Sequence, residues 1–300
     1  MEQQTVVYCV GAQKAGSSWL FTYLVSHPDC RMSNIKEMHY FDFWEEGKLD
    51  KLPLRVEEKR LSAVRKQEKG ASKHNHYPMA QHFEKMDRFL DLIATNELDV
   101  ERYVDLLKLH TGGAKIVGEA TPAYSTLEAA LLRRIYEGSK PSKFIFVMRD
   151  PVSRLWSQAR MIAGRETDGT ASAMVARATE VLDGFLERAT EGDDDKRSNY
   201  RRSVQNLDSS IPAEDLHYEF YEALFDPEGE QQAVRRICAF LGIQEHPPRM
   251  GRVLNKGVEV KMPEEFGRRA MGWLRPQYSF VEERFGTLPQ RWRDTIERFG

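Results

Sequence analysis

The sequence predicts an α/β fold, with a largely parallel central sheet flanked by helices and interrupted by helical insertions. Short apolar runs rich in β-branched residues alternate along the chain with segments of helical length and periodicity. Such alternation is typical of parallel strands joined by crossover helices. A glycine-containing turn and an Asp-Pro pair follow two of the runs, and both mark a change from strand to helix. We find no internal repeat.

Four apolar runs are predicted as strands. The first is Thr5–Val10 (TVVYCV), a continuous and partly β-branched run that ends at Gly11, which predicts a buried strand. The others, in chain order, are Lys115–Glu119, Lys143–Met148 and the weaker Leu216–Tyr221.

The segments between the strands carry helix start and stop signals. Asp150 is a favourable N-cap and Pro151 suits a first helical position, so a helix is predicted from there to about Ala163. Gly242 ends another amphipathic segment, because glycine is common just beyond the end of a helix. The other predicted helices are Ser17–Ser26, a segment near Leu127–Tyr136, and Gln231–Leu241, the one that Gly242 ends.

We expect a single domain over residues 1–300, with a charged helical insertion at about residues 45–112. Lys48–His110 breaks the alternation of strands and helices and is predicted to be mostly helical. Gly164–Ser198 breaks it again, as a long helix between polar loops that include the acidic run Asp193–Asp195. We interpret that run as a solvated loop, and the insertions as segments that contact substrate or form lids.

The composition excludes several classes of function. Of the 300 residues, 41% are hydrophobic, which is enough for a sizeable core. The formal net charge of −2 gives no global attraction to nucleic acid or to an anionic membrane, so any anion site must be local. The N-terminus lacks the features of a signal peptide, and no apolar stretch is long enough to span a bilayer. These observations predict a cytoplasmic protein.

Cysteines and histidines show no metal-binding pattern. The three cysteines lack a Cys-x-x-Cys pair and are interpreted as buried thiols of a reducing compartment; they are Cys9, Cys30 and Cys238. A histidine-containing stretch has no further ligands around it and is interpreted as solvated; its histidines are His74, His76 and His82. No acidic cluster suggests Mg²⁺ either, so we predict no metal.

A glycine-containing turn follows the first predicted strand and precedes a helix. This arrangement aims backbone N–H groups and a helix N-terminus at an anion. Its glycines have the Walker A spacing, but Ser17 follows the second glycine, and the lysine, Lys14, precedes it by two positions. A nucleotide triphosphatase needs its lysine at the β/γ-phosphates and a hydroxyl on Mg²⁺, so the displaced lysine disfavours that activity. The turn reads Gly11-Ala12-Gln13-Lys14-Ala15-Gly16-Ser17-Ser18.

A second candidate anion site follows the strand Lys143–Met148. Arg149 at the strand end supplies a forked donor suited to phosphate. Ser157 lies about two turns into the next helix, on a face that Arg154 roughly shares. The alternative is a capping motif in which Arg149 pairs with Asp150 and Ser157 is exposed, and the residues alone leave both open.

The two anion sites together resemble those of the sulfotransferase family. The first turn is similar to that family's G-x-x-K-[AS]-G-[TS]-[TS]-x-L loop, which Leu20 completes, and Arg149–Ser157 is similar to its R-D-P-x-x-R-x-x-S signature. The resemblance implies a P-loop-type sheet and the donor 3′-phosphoadenosine 5′-phosphosulfate (PAPS). It implies that Lys14, Ser17, Ser18 and the loop amides hold the 5′-phosphosulfate, and that Arg149 and Ser157 hold the 3′-phosphate, the group that distinguishes PAPS from ATP.

The segment Lys36–Asp42 (KEMHYFD) resembles the K-E-x-H-[FY]-F-D segment of the glycosaminoglycan-type branch of the family. The resemblance implies that Glu37 is the general base for the acceptor hydroxyl, a poor nucleophile while protonated. In an extended segment Glu37 and His39 share a face, so that His39 orients the hydroxyl or shares its proton. Whether Glu37 or His39 is the base stays open, and a surface loop with a Lys36–Glu37 charge pair is the alternative.

Other segments also resemble the family. Glu119–Tyr124 is similar to E-K-[ST]-P-x-Y, but Ala120 replaces the lysine, which disfavours a heavily sulfated glycan acceptor. Asn255-Lys256-Gly257 stands where the family closes a basic loop over the nucleotide, which implies that Lys256 and Gly257 bind the donor. Further segments resemble family landmarks of structural importance; they include Tyr200, Phe220-Tyr221-Glu222 and Phe240-Leu241-Gly242.

We therefore predict an O-sulfotransferase that transfers a sulfuryl group from PAPS to an acceptor hydroxyl by in-line displacement, without a metal. The product of the donor is 3′-phosphoadenosine 5′-phosphate (PAP). The acceptor is predicted to be a saccharide, a glycolipid or a small alcohol such as a polyketide, and the sequence fixes neither it nor the oligomeric state. The alternatives are a P-loop kinase of small molecules and a non-catalytic nucleotide-binding module.

Overall fold

A parallel β-sheet forms the centre of the chain in a computed structural model that describes residues 3–68, 78–167, 170–191, 195–247 and 260–300. Its strands are β1 (Thr5–Gly11), β2 (Cys30–Met32), β3 (Ile116–Ala120), β4 (Ser142–Met148) and β5 (Leu216–Phe220). The five strands are ordered β2-β3-β1-β4-β5, and every neighbouring pair is parallel. The predicted α/β fold is confirmed.

β1 is the middle strand, and helices cover both faces of the sheet around it. Val6–Val10 are at most 2% exposed, as expected of a parallel strand buried on both faces. β3 lies on one side of β1 and β4 on the other, so the chain crosses over β1 between them. Ligands of open α/β sheets bind beyond the carboxyl ends of the strands at such a switch point.

Helices connect the strands, and their predicted bounds agree closely with the structure. The helix after β1 spans Ser17–Ser26 as predicted. The Asp150 carboxylate accepts a 2.7 Å hydrogen bond from the Ser153 amide, which starts the following helix at Pro151. The helices of the described residues are α1 (Ser17–Ser26), α2 (Tyr40–Glu45), α3 (Leu52–Glu68), α4 (Met79–Ala94), α5 (Val100–Lys108), α6 (Ala129–Gly138), α7 (Pro151–Glu166), α8 (Ala171–Thr190), α9 (Tyr200–Ser210), α10 (Tyr221–Leu224), α11 (Pro227–Leu241), α12 (Glu264–Phe285) and α13 (Gln290–Phe299), with short 3₁₀ segments at Leu49–Lys51, Pro122–Thr126 and Ala213–Asp215.

The predicted insertion is helical, with α3, α4 and α5 in its described part. α5 packs against β3, and the Arg60 guanidinium on α3 is 2.6 Å from the Asp87 carboxylate on α4. His82 on α4 is only 5% exposed, so its interpretation as a solvated residue is wrong, because it faces the interior of the insertion. His74 and His76 lie outside the described residues.

Three further features bear on the sequence predictions. All three cysteines are buried and free, which confirms their interpretation as buried thiols. β2, α12 and α13 were not predicted, although α12 packs against α7, α8 and α9, and Trp292 of α13 is fully buried. In the part of the chain that the structure describes, no helix has both the length and the apolar character needed to cross a membrane.

Candidate active site

The predicted site residues gather at one edge of the sheet. The glycine-containing turn follows β1, the Lys36–His39 segment follows β2, and Arg149 follows β4. Because the strands are parallel, their carboxyl ends place these segments side by side. Lys256 and Gly257 lie outside the described residues, so their predicted role stays a prediction.

The loop after β1 has the backbone of an anion site. Lys14 and Gly16 have φ values of 70° and 90°, in the left-handed region. Gly16 is the N-cap of α1 and provides no side-chain cap, and the Trp19 amide donates to the Gly16 carbonyl at 2.9 Å, so the Ser17 and Ser18 amides at the helix start suit an anion. At Gly11 an added Cβ would lie 2.7 Å from the Ser125 Cβ and 2.8 Å from a ring carbon of Phe146, so only glycine fits there.

Two hydrogen bonds tie this loop to the end of β4. The Ala12 amide donates to the Val147 carbonyl at 2.7 Å, and the Arg149 guanidinium donates to the Lys14 carbonyl at 2.9 Å. The two predicted anion sites, distant along the chain, are therefore in direct contact.

Aromatic residues hold Arg149 in place. The Tyr200 hydroxyl donates to the Arg149 carbonyl at 2.7 Å and accepts from its amide at 3.1 Å. The guanidinium carbon lies 4.4 Å from the centre of the Tyr221 ring, a cation–π contact. Tyr200 and Tyr221, two of the predicted landmarks, thus fix the backbone and side chain of Arg149.

Asp150 caps α7, as the capping alternative expects, but its other contacts are with residues other than Arg149. The Asp150 carboxylate accepts from the Ser153 amide and, at 2.6 Å, from the Tyr278 hydroxyl. Its own amide donates to Glu222 at 3.1 Å. Asp150 is therefore engaged with residues other than Arg149.

The two other polar residues of the second motif differ in role. Arg154 is fully buried and donates to Gln158 at 2.8 Å and to Ser198, so it stabilises the fold. Ser157 is 8% exposed, contrary to the exposed serine of the capping alternative. Ser153, one turn earlier on α7, lines the neighbouring cavity and was not predicted.

That cavity has a volume of about 340 Å³ and lies between α7, α13 and residues 260–262. Most charged residues in its lining are basic: Arg149, Arg160, Lys261 and Arg298, with the single acid Asp294. Burial lowers the pKa of Lys14, and the positive charges of Arg149, Arg160 and Arg165 lower it further. Such an excess of positive charge suits a ligand with several negative charges.

The segment after β2 differs from its prediction. Glu37 and His39 have φ values of 53° and 58°, and α2 begins at Tyr40, so the prediction of an extended segment is wrong. The two side chains nevertheless meet, with His39 Nε2 3.9 Å from Glu37 Oε2. His39 Nδ1 is 2.8 Å from the Asp42 carboxylate, which holds the ring from the other side.

These contacts set the charges of the pair. The His39 interaction lowers the pKa of Glu37, with further help from the charges of Lys36 and Lys59, although burial opposes the shift. Burial alone disfavours a charged His39, but its bonds to Asp42 and Glu37 outweigh burial and raise the pKa of the imidazole. Near neutral pH, an ionised Glu37 thus faces a histidine that retains its proton more readily than usual.

Lys36 links this segment to the loop after β1. Its ammonium donates to the Ser18 hydroxyl at 2.8 Å and lies 3.9 Å from the Glu37 carboxylate. The Lys36–Glu37 charge pair therefore exists, but as part of a contact between the two predicted halves of the site.

Lys59 on α3 reaches the same segment from the insertion. Its ammonium donates to the Glu37 carbonyl at 2.8 Å and also to the Lys36 carbonyl. Burial lowers the pKa of Lys59 to about 8. Sequence reasoning missed this residue because a lysine in a charged helix gives no signal that it contacts a loop 22 residues away.

Glu119 belongs to the interior beside the site. It is 1% exposed and accepts from Thr121 at 2.6 Å and from the Tyr103 hydroxyl. Burial raises the pKa of this carboxyl. Ala120, which replaces the family's lysine, is fully buried.

Comparison with known proteins identifies one family. A model of the sulfotransferase family matches residues 7–247. The fold is similar to a sulfotransferase from Alicyclobacillus acidocaldarius, at 20% identity and a TM-score of 0.60, with 97% of this chain and 99% of that chain covered. It is also similar to the sulfotransferase domain from the curacin biosynthetic pathway, at 17% identity and a TM-score of 0.52, with 96% and 100% covered. A sulfotransferase domain from the Synechococcus PCC 7002 olefin synthase gives 16% identity, a TM-score of 0.50, and 96% and 98% coverage. No curated protein sequence matched the chain.

Proposed function

The chain belongs to the sulfotransferase family, and on that premise we propose that it transfers a sulfuryl group from PAPS to an acceptor hydroxyl. The observation that carries the proposal is the direct contact between two cationic anchors. Arg149 donates to the Lys14 carbonyl at 2.9 Å, so the two predicted anion sites are adjacent. A single ligand that carries a phosphate group at each end would need such an arrangement. Lys36, 2.8 Å from Ser18, brings the Glu37–His39 pair beside them.

The residues around the loop fit the charges of PAPS. Lys14, together with the side chains and backbone amides of Ser17 and Ser18 at the start of α1, would hold the 5′-phosphosulfate. Arg149, with Ser157 or the cavity-lining Ser153, would hold the 3′-phosphate. Lys256 and Gly257 are proposed to complete the donor site. When bound, PAPS supplies the sulfuryl group that passes to the acceptor oxygen by in-line displacement, leaving PAP.

Glu37 is proposed to accept the proton of the acceptor hydroxyl. Its lowered pKa keeps it ionised near neutral pH, and the raised pKa of His39 suits that residue to donating rather than accepting. His39 would then orient the carboxylate, and Asp42, at 2.8 Å, would fix the ring. Lys14 would stabilise the negative charge that develops on the leaving phosphate.

The acceptor is proposed to be a saccharide, a glycolipid or a small alcohol. The buried Ala120 stands where the glycosaminoglycan-type branch has a lysine, which disfavours a heavily sulfated glycan. A screen of hydroxyl compounds of these classes with sulfur-labelled PAPS tests the proposal directly. If the protein binds PAP but transfers label to none of these compounds, the result would count against catalysis and favour a nucleotide-binding module.

A P-loop kinase is the competing function, and ligand preference separates the two. A sulfotransferase should be stabilised against heat by PAP more than by ATP, and activity should survive excess EDTA. Stabilisation by Mg·ATP alone, or activity lost in EDTA and restored by Mg²⁺, would favour the kinase.

A further inference from the structure

We infer that Lys59 is a positioning residue for sulfuryl transfer, reaching from the helical insertion to fix the turn that carries the proton acceptor. The inference rests on the proposed function and deepens it. It also gives part of the insertion at residues 45–112 a specific task. Lys59 is not proposed to touch the reacting atoms, because its contacts are with backbone carbonyls.

The geometry of Lys59 is that of a clamp. Its ammonium donates to two successive carbonyls, those of Lys36 and Glu37, the latter at 2.8 Å. The side chains of the same two residues make the contacts that define the site: Lys36 with Ser18 and Glu37 with His39. One ammonium group therefore holds the backbone from which both contacts extend.

The turn at Glu37–His39 has an unfavourable backbone conformation that other contacts must stabilise. Glu37 and His39 both lie in the left-handed region, with φ values of 53° and 58°. Residues with side chains adopt this region rarely, and such conformations persist where surrounding contacts over-determine them. No glycine stands in the Lys36–Tyr40 segment to ease this turn, so contacts from elsewhere must stabilise it.

The environment of Lys59 distinguishes it from a surface lysine. Lysines on surface helices are usually solvated, whereas burial lowers the pKa of Lys59 to about 8. The negative charge of Glu37 opposes this shift, while the positive charge of Arg55, on the same helix, adds to it. The ammonium group has thus lost part of its hydration, and the two carbonyls replace it.

Matched variants test the inference. Lys59→Met keeps the aliphatic length and removes the donors, whereas Lys59→Arg keeps a charged donor that can reach two carbonyls. Lys51→Met is the control, because Lys51 is an exposed lysine in the 3₁₀ segment before α3. The inference predicts that kcat falls about 10–10²-fold in Lys59→Met, since small misplacement of a reacting group has effects of this size. The Kd for PAP should change less than about twofold, because Lys59 donates to the Lys36 and Glu37 carbonyls and lies outside the loop after β1.

A second readout needs no acceptor. The pKa of His39 is raised partly by Glu37, so NMR titration of the His39 ring reports whether the two still face each other. We expect Lys59→Met to lower this pKa toward its ordinary value, and Lys59→Arg and Lys51→Met to leave it unchanged. Assignment of the resonance comes from its loss in His39→Gln.

The outcomes separate the two proposals. If the pKa of the His39 ring in Lys59→Met equals the wild-type value, the positioning role is overturned. An equal loss of PAP affinity and kcat in both Lys59 variants also overturns it, because that result would indicate a general folding defect. A wild-type protein that binds no PAP overturns the sulfotransferase proposal, and the His39 titration then still decides whether Lys59 holds the turn.

Discussion

The donor and acceptor sides of the site are built by different means. On the donor side, loop geometry positions the turn, since Gly16 caps α1 and Gly11 lies against Ser125. Arg149 follows β4 directly, and Tyr200 and Tyr221 fix it there. On the acceptor side, Glu37 and His39 are held in an unfavourable backbone conformation by side chains from other elements. Asp42 holds the His39 ring, and Lys59 holds the Glu37 carbonyl at 2.8 Å.

This difference separates a site built by local backbone geometry from a site that depends on tertiary packing. An anion site made from backbone amides and a helix start needs only a strand, a turn and a helix. The position of a base held by side chains depends on which segments pack around it. Here one of those segments is the helical insertion. Variants on the donor side should therefore change donor binding, and variants on the acceptor side should change the rate alone.

Glu37→Gln should show the largest effect. It keeps the shape of the side chain and removes the proton acceptor, so kcat should fall by about 10²–10⁴-fold. The Kd for PAP, measured by calorimetry, should stay near the wild-type value because Glu37 lies on the acceptor side. A near-normal rate in Glu37→Gln together with an inactive His39→Ala would make His39 the base.

Lys14→Ala should affect both sides of the comparison. Removing a positive charge next to the leaving phosphate should lower kcat by about 10²–10³-fold, as for other groups that stabilise developing charge. Unlike Glu37→Gln, it should also weaken PAP binding. Lys48→Ala is a suitable control, since Lys48 is an exposed lysine paired with Glu46. Unchanged PAP affinity in Lys14→Ala would place Lys14 outside the donor site.

Arg149→Ala tests whether Arg149 binds the 3′-phosphate on the donor side. A charge-assisted hydrogen bond is worth about 1.5–3 kcal/mol, so the Kd for PAP should rise roughly 10- to 150-fold. The Kd for adenosine 5′-phosphosulfate, which lacks the 3′-phosphate, should change much less. Arg88→Ala, an exposed arginine on α4, serves as the control. Equal losses of affinity for both ligands would mean that Arg149 stabilises the loop after β1, through its hydrogen bond to the Lys14 carbonyl, and does not bind the 3′-phosphate.

The smallest expected effect is a pH dependence of stability from His39. Its pKa is raised in the folded protein, so its stabilising contribution is complete below about pH 6.5, the unfolded value. That contribution is lost as the pH rises through the folded pKa. The unfolding free energies of wild type and His39→Gln should therefore converge toward alkaline pH, from a difference of about 0.5–1 kcal/mol, typical of partly exposed pairs. If urea unfolding gives the same free-energy difference between wild type and His39→Gln at every pH from 5 to 9, the result would contradict the ion pairs at His39.

Sequence by itself determined the parts that rest on local rules. The strand at Thr5, the helix Ser17–Ser26 and the Asp150 cap follow from β-branched runs, helix periodicity and capping chemistry, which act over a few residues. The sequence also predicted that each candidate anion site follows a strand of a largely parallel sheet.

Tertiary structure decided the parts that rest on contacts between distant segments. The three-residue β2 forms because β3 pairs with it, and α12 and α13 find their places by packing on α7, α8 and α9 and by burying Trp292. The turn at Glu37 adopts a left-handed backbone that residue preferences disfavour, because Lys59 and neighbouring side chains hold it. Contacts of this kind depend on the three-dimensional position of both partners, for which a single sequence carries no local signal.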